Sequence, residues 1–205
     1  MTALLLHEDP RSGNCYKIRL TAAHVGARLE RRAYDILAGE TRTPAFLAEV
    51  NPDGRIPVLQ IGTLLLPESN AACWYLAEGS PLVPADPFTR ADMLRWMFWE
   101  QYSHEPNIAT LRFWLRFVGE AMLTENQRAA IPGKRAAGEA ALRLLDRHLA
   151  TREWLAGDAL SLADLCLFAY THVAEEGGFH LAPFPNVGRW LTAIAAHPAH
   201  LVMDA

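Results

Sequence analysis

Residues Gly54 to Asn70 read GRIPVLQIGTLLLPESN, and the fold turns on this stretch. Val58 to Ile61 and Leu64 to Leu66 are short apolar runs that read as strands. Gly62-Thr63 between them is a two-residue hairpin turn, with glycine supplying the positive φ. Pro57 stands at the entry of the first run; lacking a ladder donor, it belongs at a sheet edge or on a cis bond. A cis Ile56-Pro57 bond would turn the Ile56 amide and carbonyl outward, free to pair with an extended peptide. Pro67 closes the second run, and Glu68-Ser69 opens a helical pattern through Ala71, Ala72, Tyr75 and Leu76. Glu68 and Ser69 thus sit at a helix start, where backbone N–H groups and the helix dipole favour a carboxylate.

Toward the N-terminus, Ala3 to His7 reads as a buried strand, and His7-Glu8-Asp9-Pro10 as a solvated loop rather than a metal site. Ser12-Gly13-Asn14 precede a helix with Cys15, Ile18, Ala22 and Val25 on its apolar face, Lys17 and His24 opposite, and Gly26 at its end. Leu29 to Ile36 is a second strand, partly exposed at Arg31 and Arg32. Thr43-Pro44 opens a short helix, and Asn51-Pro52-Asp53-Gly54 is a dense turn cluster. Strand, helix, strand, helix, hairpin and helix therefore fill residues 1–78, and the first helical crossover predicts a parallel strand pair.

Toward the C-terminus, residues 79–87, GSPLVPADP, carry three prolines and read as a linker. No strand pattern follows it. Phe88 to Glu105 is helical, with Leu94, Met97, Phe98 and Gln101 on one side, and Pro106 should kink or end it before a helical stretch to Gly119. Ala137 to Leu149 is amphipathic. Ser161 to Ala174 is apolar nearly all round, which marks it as the central helix of a second domain. Ser161-Leu162-Ala163-Asp164 reads as a capping box, with Leu160 and Leu165 spaced as a hydrophobic staple. Asn186 to Ala196 closes the pattern.

NPDGRIPVL followed by PESNA resembles the glutathione-binding half of the cytosolic glutathione transferase family, and the Ser161-to-Asp164 box is similar to one in that family's helical domain. The chain is identified as a serine-type, bacterial-style member. The resemblance implies an α/β thioredoxin-like domain over 1–78 and an all-α domain over 88–205. It further implies that Ile56, before cis-Pro57, pairs with the cysteinyl backbone of glutathione, and that Glu68 and Ser69 hold its γ-glutamyl end. Arg42 lies where related proteins place a basic residue near the glycine carboxylate, and Arg55 precedes the Ile56-Pro57 pair.

In this family the activating group follows the first strand. Here that segment is SGNCYKIRL, residues 12–20, and the basic-x-basic pair Lys17 and Arg19 points to Ser12 as the activating hydroxyl. Asn14 and Cys15 stand close by, and other branches use an asparagine or a cysteine in this region. Trp96, Trp99, Tyr102, His104 and Trp114 are candidate walls for an acceptor substrate, with Trp99, Tyr102 and His104 taken as its pocket. The implied activity is conjugation of glutathione to small hydrophobic electrophiles by a cytoplasmic homodimer. Glutathione-dependent reduction of peroxides or disulfides and a non-catalytic binding module are the alternatives. The family's maleylacetoacetate isomerase branch carries a serine-serine-cysteine-serine run where this chain has Ser12-Gly13-Asn14-Cys15, which argues against that reaction.

Composition narrows the remaining classes. The 205 residues are 51% hydrophobic with a formal net charge of −4, and their basic residues are scattered, which argues against nucleic acid as a partner. Three cysteines without metal spacing point to a reducing compartment and no metal. The opening MTALLLHEDP lacks a basic leader, and no apolar run reaches the ~18 residues of a membrane span.

Overall fold

Strand β1 (Leu4–Glu8) lies between two partners of opposite sense. In this computed structural model, which describes residues 3–203, β2 (Glu30–Ala33) pairs with it in parallel and β3 (Val58–Ile61) antiparallel. Strand β4 (Leu64–Pro67) returns from the Gly62-Thr63 hairpin, and the sheet order is β2-β1-β3-β4. Helix α1 (Gly13–Val25) makes the crossover that the parallel pair requires, α2 (Pro44–Glu49) starts at a Thr43 cap, and α3 (Ser69–Ala77) follows β4. Gly26 ends α1 at φ +68, where its N–H reaches the Ala22 and Ala23 carbonyls. Without a Cβ it takes that left-handed conformation at no steric cost.

The first unit comprises residues 3–81 together with 198–203, and the second residues 82–197. The division assigns 198–203 to the first unit rather than to the helical domain expected over 88–205. The cause lies in α1. Tyr16 Oη donates to the Leu201 carbonyl at 2.5 Å, and Arg19 donates to the Met203 carbonyl at 2.6 Å.

This returning segment helps explain a difference from the sequence expectation. An amphipathic α1 was expected to leave Lys17 on its open face, yet every residue from Cys15 to Ala22 is buried, Lys17 completely. The helix packs against α3 as well, so the open face implied by the periodicity is covered.

The expected solvated loop at His7-Glu8-Asp9 is also overturned, since these residues are 2%, 1% and 0% exposed. His7 and Glu8 belong to β1, which is flanked on both sides. The His7 ring nitrogens lie 2.9 Å from Tyr34 Oη and 3.0 Å from Gln60 Oε1. Glu8 is paired with Arg31 at 2.5 Å and Arg19 at 3.2 Å, while Arg11 grips Asp9 at 2.6 Å. Burial raises the Asp9 carboxyl, but the bonds from Arg11 and the Ile36 amide outweigh it and hold the group below its ordinary value.

In the second unit, α4 (Pro87–Trp99) runs through a π turn at Glu100–His104 into α5 (Glu105–Arg112). Pro106 falls in the first turn of α5, where its missing N–H is tolerated, and the widened turn before it accommodates the ring. The buried face of α4 is Met93, Trp96 and Met97, whereas Phe98, read on the same side as Met97, is 72% exposed. Helix α6 (Glu125–Leu149) starts twelve residues before the expected Ala137, at a Thr124/Gln127 capping box. Pro132 and Gly133 lie within the helix, both in its exposed early turns.

Helix α7 (Leu162–Thr171) is buried at every position, and α8 (Pro185–Ala195) lays Val187, Trp190 and Ile194 in the same core. Asp164 is the polar centre of this core. Its carboxylate accepts from the Ser161 N–H and hydroxyl, the Leu155 N–H and the Trp190 indole N–H, all between 2.7 and 2.9 Å. Burial pushes the carboxyl above its usual value, and these four donors pull it back. Ser161→Ala should therefore lower stability by ~1 kcal/mol. Asp164→Ala, which strands several buried donors, should cost about 3 kcal/mol or more. Urea unfolding followed by tryptophan fluorescence measures both, and ligand affinity of the folded protein should not change in either variant.

Candidate functional site

Strand register gathers the sequence motifs at one end of the sheet. His7 pairs with Val58 and Val58 with Pro67, while Glu8 pairs with Ala33. The segment after β1 with Ser12, the segment after β2 that leads to Arg42, and the segment after β4 with Glu68 and Ser69 all leave from that end. Arg55, Ile56 and Pro57 enter β3 there.

Ser12 is the N-cap of α1, in extended conformation, and its Oγ accepts from the Cys15 N–H at 3.4 Å. That bond uses an oxygen lone pair, and the hydroxyl proton is still a donor. Two residues on, Asn14 Oδ1 accepts from the Ser69 hydroxyl at 3.1 Å. This bond joins the starts of α1 and α3 across 55 residues of sequence.

Glu68 has φ 71°, the one non-glycine residue with positive φ among the described residues. Such a conformation costs of order 1–3 kcal/mol and persists where the surroundings impose it, often at ligand clamps. Glu68 makes no side-chain cap on α3 and remains exposed, while Ser69 is buried. The carboxylate is therefore presented outward beside the positive end of the helix, an arrangement matched to an ammonium and a carboxylate on one ligand.

The Ile56-Pro57 bond is cis. Arg42 donates to the Asp53 carbonyl at 2.9 Å and lies across Gly54, where an added Cβ would fall 2.6 Å from the guanidinium. The Asn51 side chain closes the same turn by donating to the Arg55 carbonyl at 3.0 Å. Arg42 and Arg55 are both exposed, and Arg55 directly precedes Ile56. Among the described residues, no group of three or more His, Cys, Asp and Glu side chains is placed to hold a metal ion.

In the second unit, Trp99, Tyr102, Ser103 and Asn107 face Ala137, Ala140, Ala141 and Leu144 of α6 across a groove of about 370 Å³. Small alanines opposite large aromatics leave this space open.

The sequence models for the glutathione S-transferase N-terminal and C-terminal domains match residues 5–78 and 97–198. Glutathione S-transferase 2 of Anopheles gambiae is 33% identical over 195 residues, 92% of this chain and 89% of that protein. The chain belongs to the glutathione S-transferase family. Its fold agrees with a glutathione S-transferase crystal structure from Pseudomonas fluorescens Pf-5, at 44% identity, 98% coverage of both chains and a TM-score of 0.90. It agrees also with the theta class glutathione S-transferase of Xanthomonas axonopodis pv. citri with glutathione bound, at 27% identity and a TM-score of 0.85, covering 97% of this chain and 95% of that one. The thioredoxin-like first domain and helical second domain are thus those of a glutathione S-transferase.

Within this transferase, Ser12, Asn14, Arg42, Arg55, Ile56, Pro57, Glu68 and Ser69 share the sheet end described above. Trp99 and Tyr102 line the α4–α6 groove, but His104 does not. It is 0% exposed and sits 2.9 Å from the Thr171 hydroxyl, a core position that helical spacing alone does not distinguish from a pocket wall. Cys15 is fully buried, and burial pushes its thiol up to about 12, against a smaller lowering by the Ser12 hydroxyl. Sequence reasoning missed the burial of Lys17, whose Nζ lies 3.4 Å from Asn70 Oδ1 at the start of α3. The basic-x-basic signature marked that residue without disclosing its direction.

A thiol raised to about 12 remains protonated at pH 8, so Cys15 should resist alkylation. Cys73 and Cys166 are buried as well. Iodoacetamide at pH 8 followed by mass spectrometry should label none of the three cysteines in the native protein and all of them in urea. Native labelling of Cys15 would contradict this burial.

Proposed function

We propose that this glutathione transferase activates the thiol of glutathione with the Ser12 hydroxyl and transfers the thiolate to small apolar electrophiles. The Ser69–Asn14 bond carries the reading, because it fastens the segment with Ser12 to the helix start suited to the α-amino acid end of the peptide. Glu68 would face the ligand ammonium, Ser69 and the first turn of α3 its γ-glutamyl carboxylate, and Ile56 its cysteinyl backbone. Arg42 and Arg55 would meet the glycine carboxylate, and Asn14 would hold Ser69 in register.

The chemistry asked of Ser12 is modest. A free thiol with pKa ~8.5 is only ~3% ionised at pH 7. A hydrogen bond to a charged acceptor contributes ~1.5–3 kcal/mol, or roughly 1–2 pKa units. One donated bond, aided by the positive end of α1, therefore brings about half of the bound glutathione to thiolate, and no separate base is required. Attack then forms the carbon–sulfur bond, and the leaving group or a proton on the acceptor balances the charge. The buried, protonated Cys15 speaks against a mixed-disulfide route through that residue.

Trp99 and Tyr102 are the proposed walls for the electrophile, supported by the groove they border. The proposed assembly is a homodimer that covers α3 of one copy and the long helices of the other. Tyr75 on α3 and Phe98 on α4 are 48% and 72% exposed, apolar area that an interface would take out of water. The proposed compartment is the cytoplasm, consistent with three free cysteines, and no helix among the described residues is long and apolar enough to cross a membrane.

Ser12→Ala should raise the pKa of enzyme-bound glutathione by roughly 1–2 units and slow conjugation about 10–100-fold, with little change in affinity. Ultraviolet titration of the bound thiolate reads the shift directly. An unmoved curve eliminates the serine, and wild-type protein inert toward halogenated aromatics, hydroperoxides and disulfides alike eliminates the activity.

Light scattering at micromolar concentration should give twice the mass of one 22.8 kDa chain. A monomer refutes the assembly.

A further inference from the structure

The segment between β2 and α2 leaves the sheet at Tyr34, whose N–H bonds the Glu8 carbonyl at 2.7 Å, and it leads to Arg42. Asp35 organises this segment. Its Oδ1 accepts from the Leu37 N–H at 2.9 Å and the Ala38 N–H at 3.3 Å. Its own N–H donates to the Glu40 carboxylate at 2.7 Å, and its carbonyl accepts from the Glu40 N–H at 3.1 Å. The same Oδ1 takes a further bond, 2.6 Å long, from Nη2 of Arg11, the residue before Ser12. That nitrogen also donates to Asp9 Oδ2 at 2.6 Å, and Arg11 Nε donates to Asp9 Oδ1 at 2.9 Å.

An exposed ion pair ordinarily contributes little, because two long side chains must be ordered to form it. Here Arg11 is ordered before Asp35 meets it, since the fully buried Asp9 holds its guanidinium in a two-bond fork. The Arg11 bond first, and then the Ala38 and Leu37 N–H groups, hold the Asp35 carboxyl below its ordinary value, so it is ionised at neutral pH. The far end of the segment is fastened too. The Arg42 N–H reaches the Gly39 carbonyl at 2.8 Å, and its guanidinium donates to the carbonyl of Asp53, two residues before Arg55. The segment thus runs from the residue beside Ser12 to the turn that leads into Ile56.

We propose that Asp35 is a positioning residue for the glycine end of glutathione, holding the segment that carries Arg42 in step with Ser12 through Arg11. The inference rests on the reading that Arg42 and Arg55 meet the glycine carboxylate. In glutathione the thiol and that carboxylate sit on adjacent residues, so a site that engages both must keep Ser12 and Arg42 at a matching separation. Pairing of Glu8 with Ala33 sets where the two segments leave the sheet. Beyond the sheet they are joined by the Ile36 N–H to Asp9, at 3.3 Å, and by the shorter Arg11–Asp35 bond. Asp35 would act on the peptide through Arg42 without touching it.

Calorimetry with two peptides tests this. One is glutathione, and the other is glutathione amide, in which a carboxamide replaces the glycine carboxylate. Wild-type protein should prefer glutathione. Asp35→Ala should weaken glutathione roughly fivefold, the upper end for an exposed ion pair, while affinity for the amide changes less than about twofold. The loss should appear in KM for glutathione with kcat at saturation nearly unchanged, because Ser12 stays on its own turn, where its N–H bonds the Asp9 carbonyl at 2.9 Å. In an Arg11→Met background, Asp35→Ala should bring no further loss of preference, since the two side chains act through one bond. Arg11→Lys keeps a cation for the buried Asp9 without the fork, and it carries the same comparison should the methionine variant not fold. Equal weakening of both peptides, unchanged glutathione affinity, or an undiminished loss in the Arg11 background overturns the role of Asp35 alone. Wild-type protein that binds glutathione no better than the amide overturns the assignment of Arg42 and Arg55 on which the inference stands.

Discussion

The constraint on which the first unit depends is the double pairing of β1. Because β2 runs parallel to it and β3 antiparallel, the end of β1, the end of β2, the start of β3 and the end of β4 fall together. Chain segments distant in sequence are delivered to one place with no dedicated bond needed to gather them. The Ser69–Asn14 bond then refines what the register has already assembled. Any slip in the pairing of β1 would invert its side chains and scatter these segments together.

This end of the sheet carries a dense set of ionised groups. Glu8 answers Arg19 and Arg31, Asp9 answers Arg11, and Lys17 reaches Asn70. Buried ion pairs seldom exceed an apolar packing of the same volume in stability. Their value here is geometric. They admit only one arrangement of α1, β1 and the segment between them, which is the segment that presents Ser12. The helical unit gathers four donors on Asp164 and also buries Glu100, His104 and Thr171.

Much of this was legible in sequence where local chemistry speaks for itself. The hairpin at Gly62-Thr63, the cis proline at Pro57, the stop at Gly26 and the box at Ser161 each depend on a few adjacent residues, and each stands as read. What escaped depends on residues far away in the chain. Lys17 looked exposed because the periodicity of α1 cannot register the packing of α3, whose Asn70 meets it from 53 residues away. His7 and Glu8 looked like loop because their polar partners, Gln60 and Arg31, come from neighbouring strands. His104 looked like a pocket wall because Thr171, which engages it, lies on a helix that sequence read only as core. The early turns of α6 went unread; they carry Pro132 and Gly133 on an exposed face.

The return of residues 198–203 to α1 has a consequence for the order in which the molecule can be made. A chain emerging from the ribosome completes β1 through α3 before the helical unit, but the carbonyls that receive Tyr16 and Arg19 follow that whole unit in sequence. Throughout translation of the helical unit, the glutathione domain is a nascent structure with one flank of α1 uncovered. Its final closure awaits the tail, so an expression fragment cut at residue 81 is not the domain seen here.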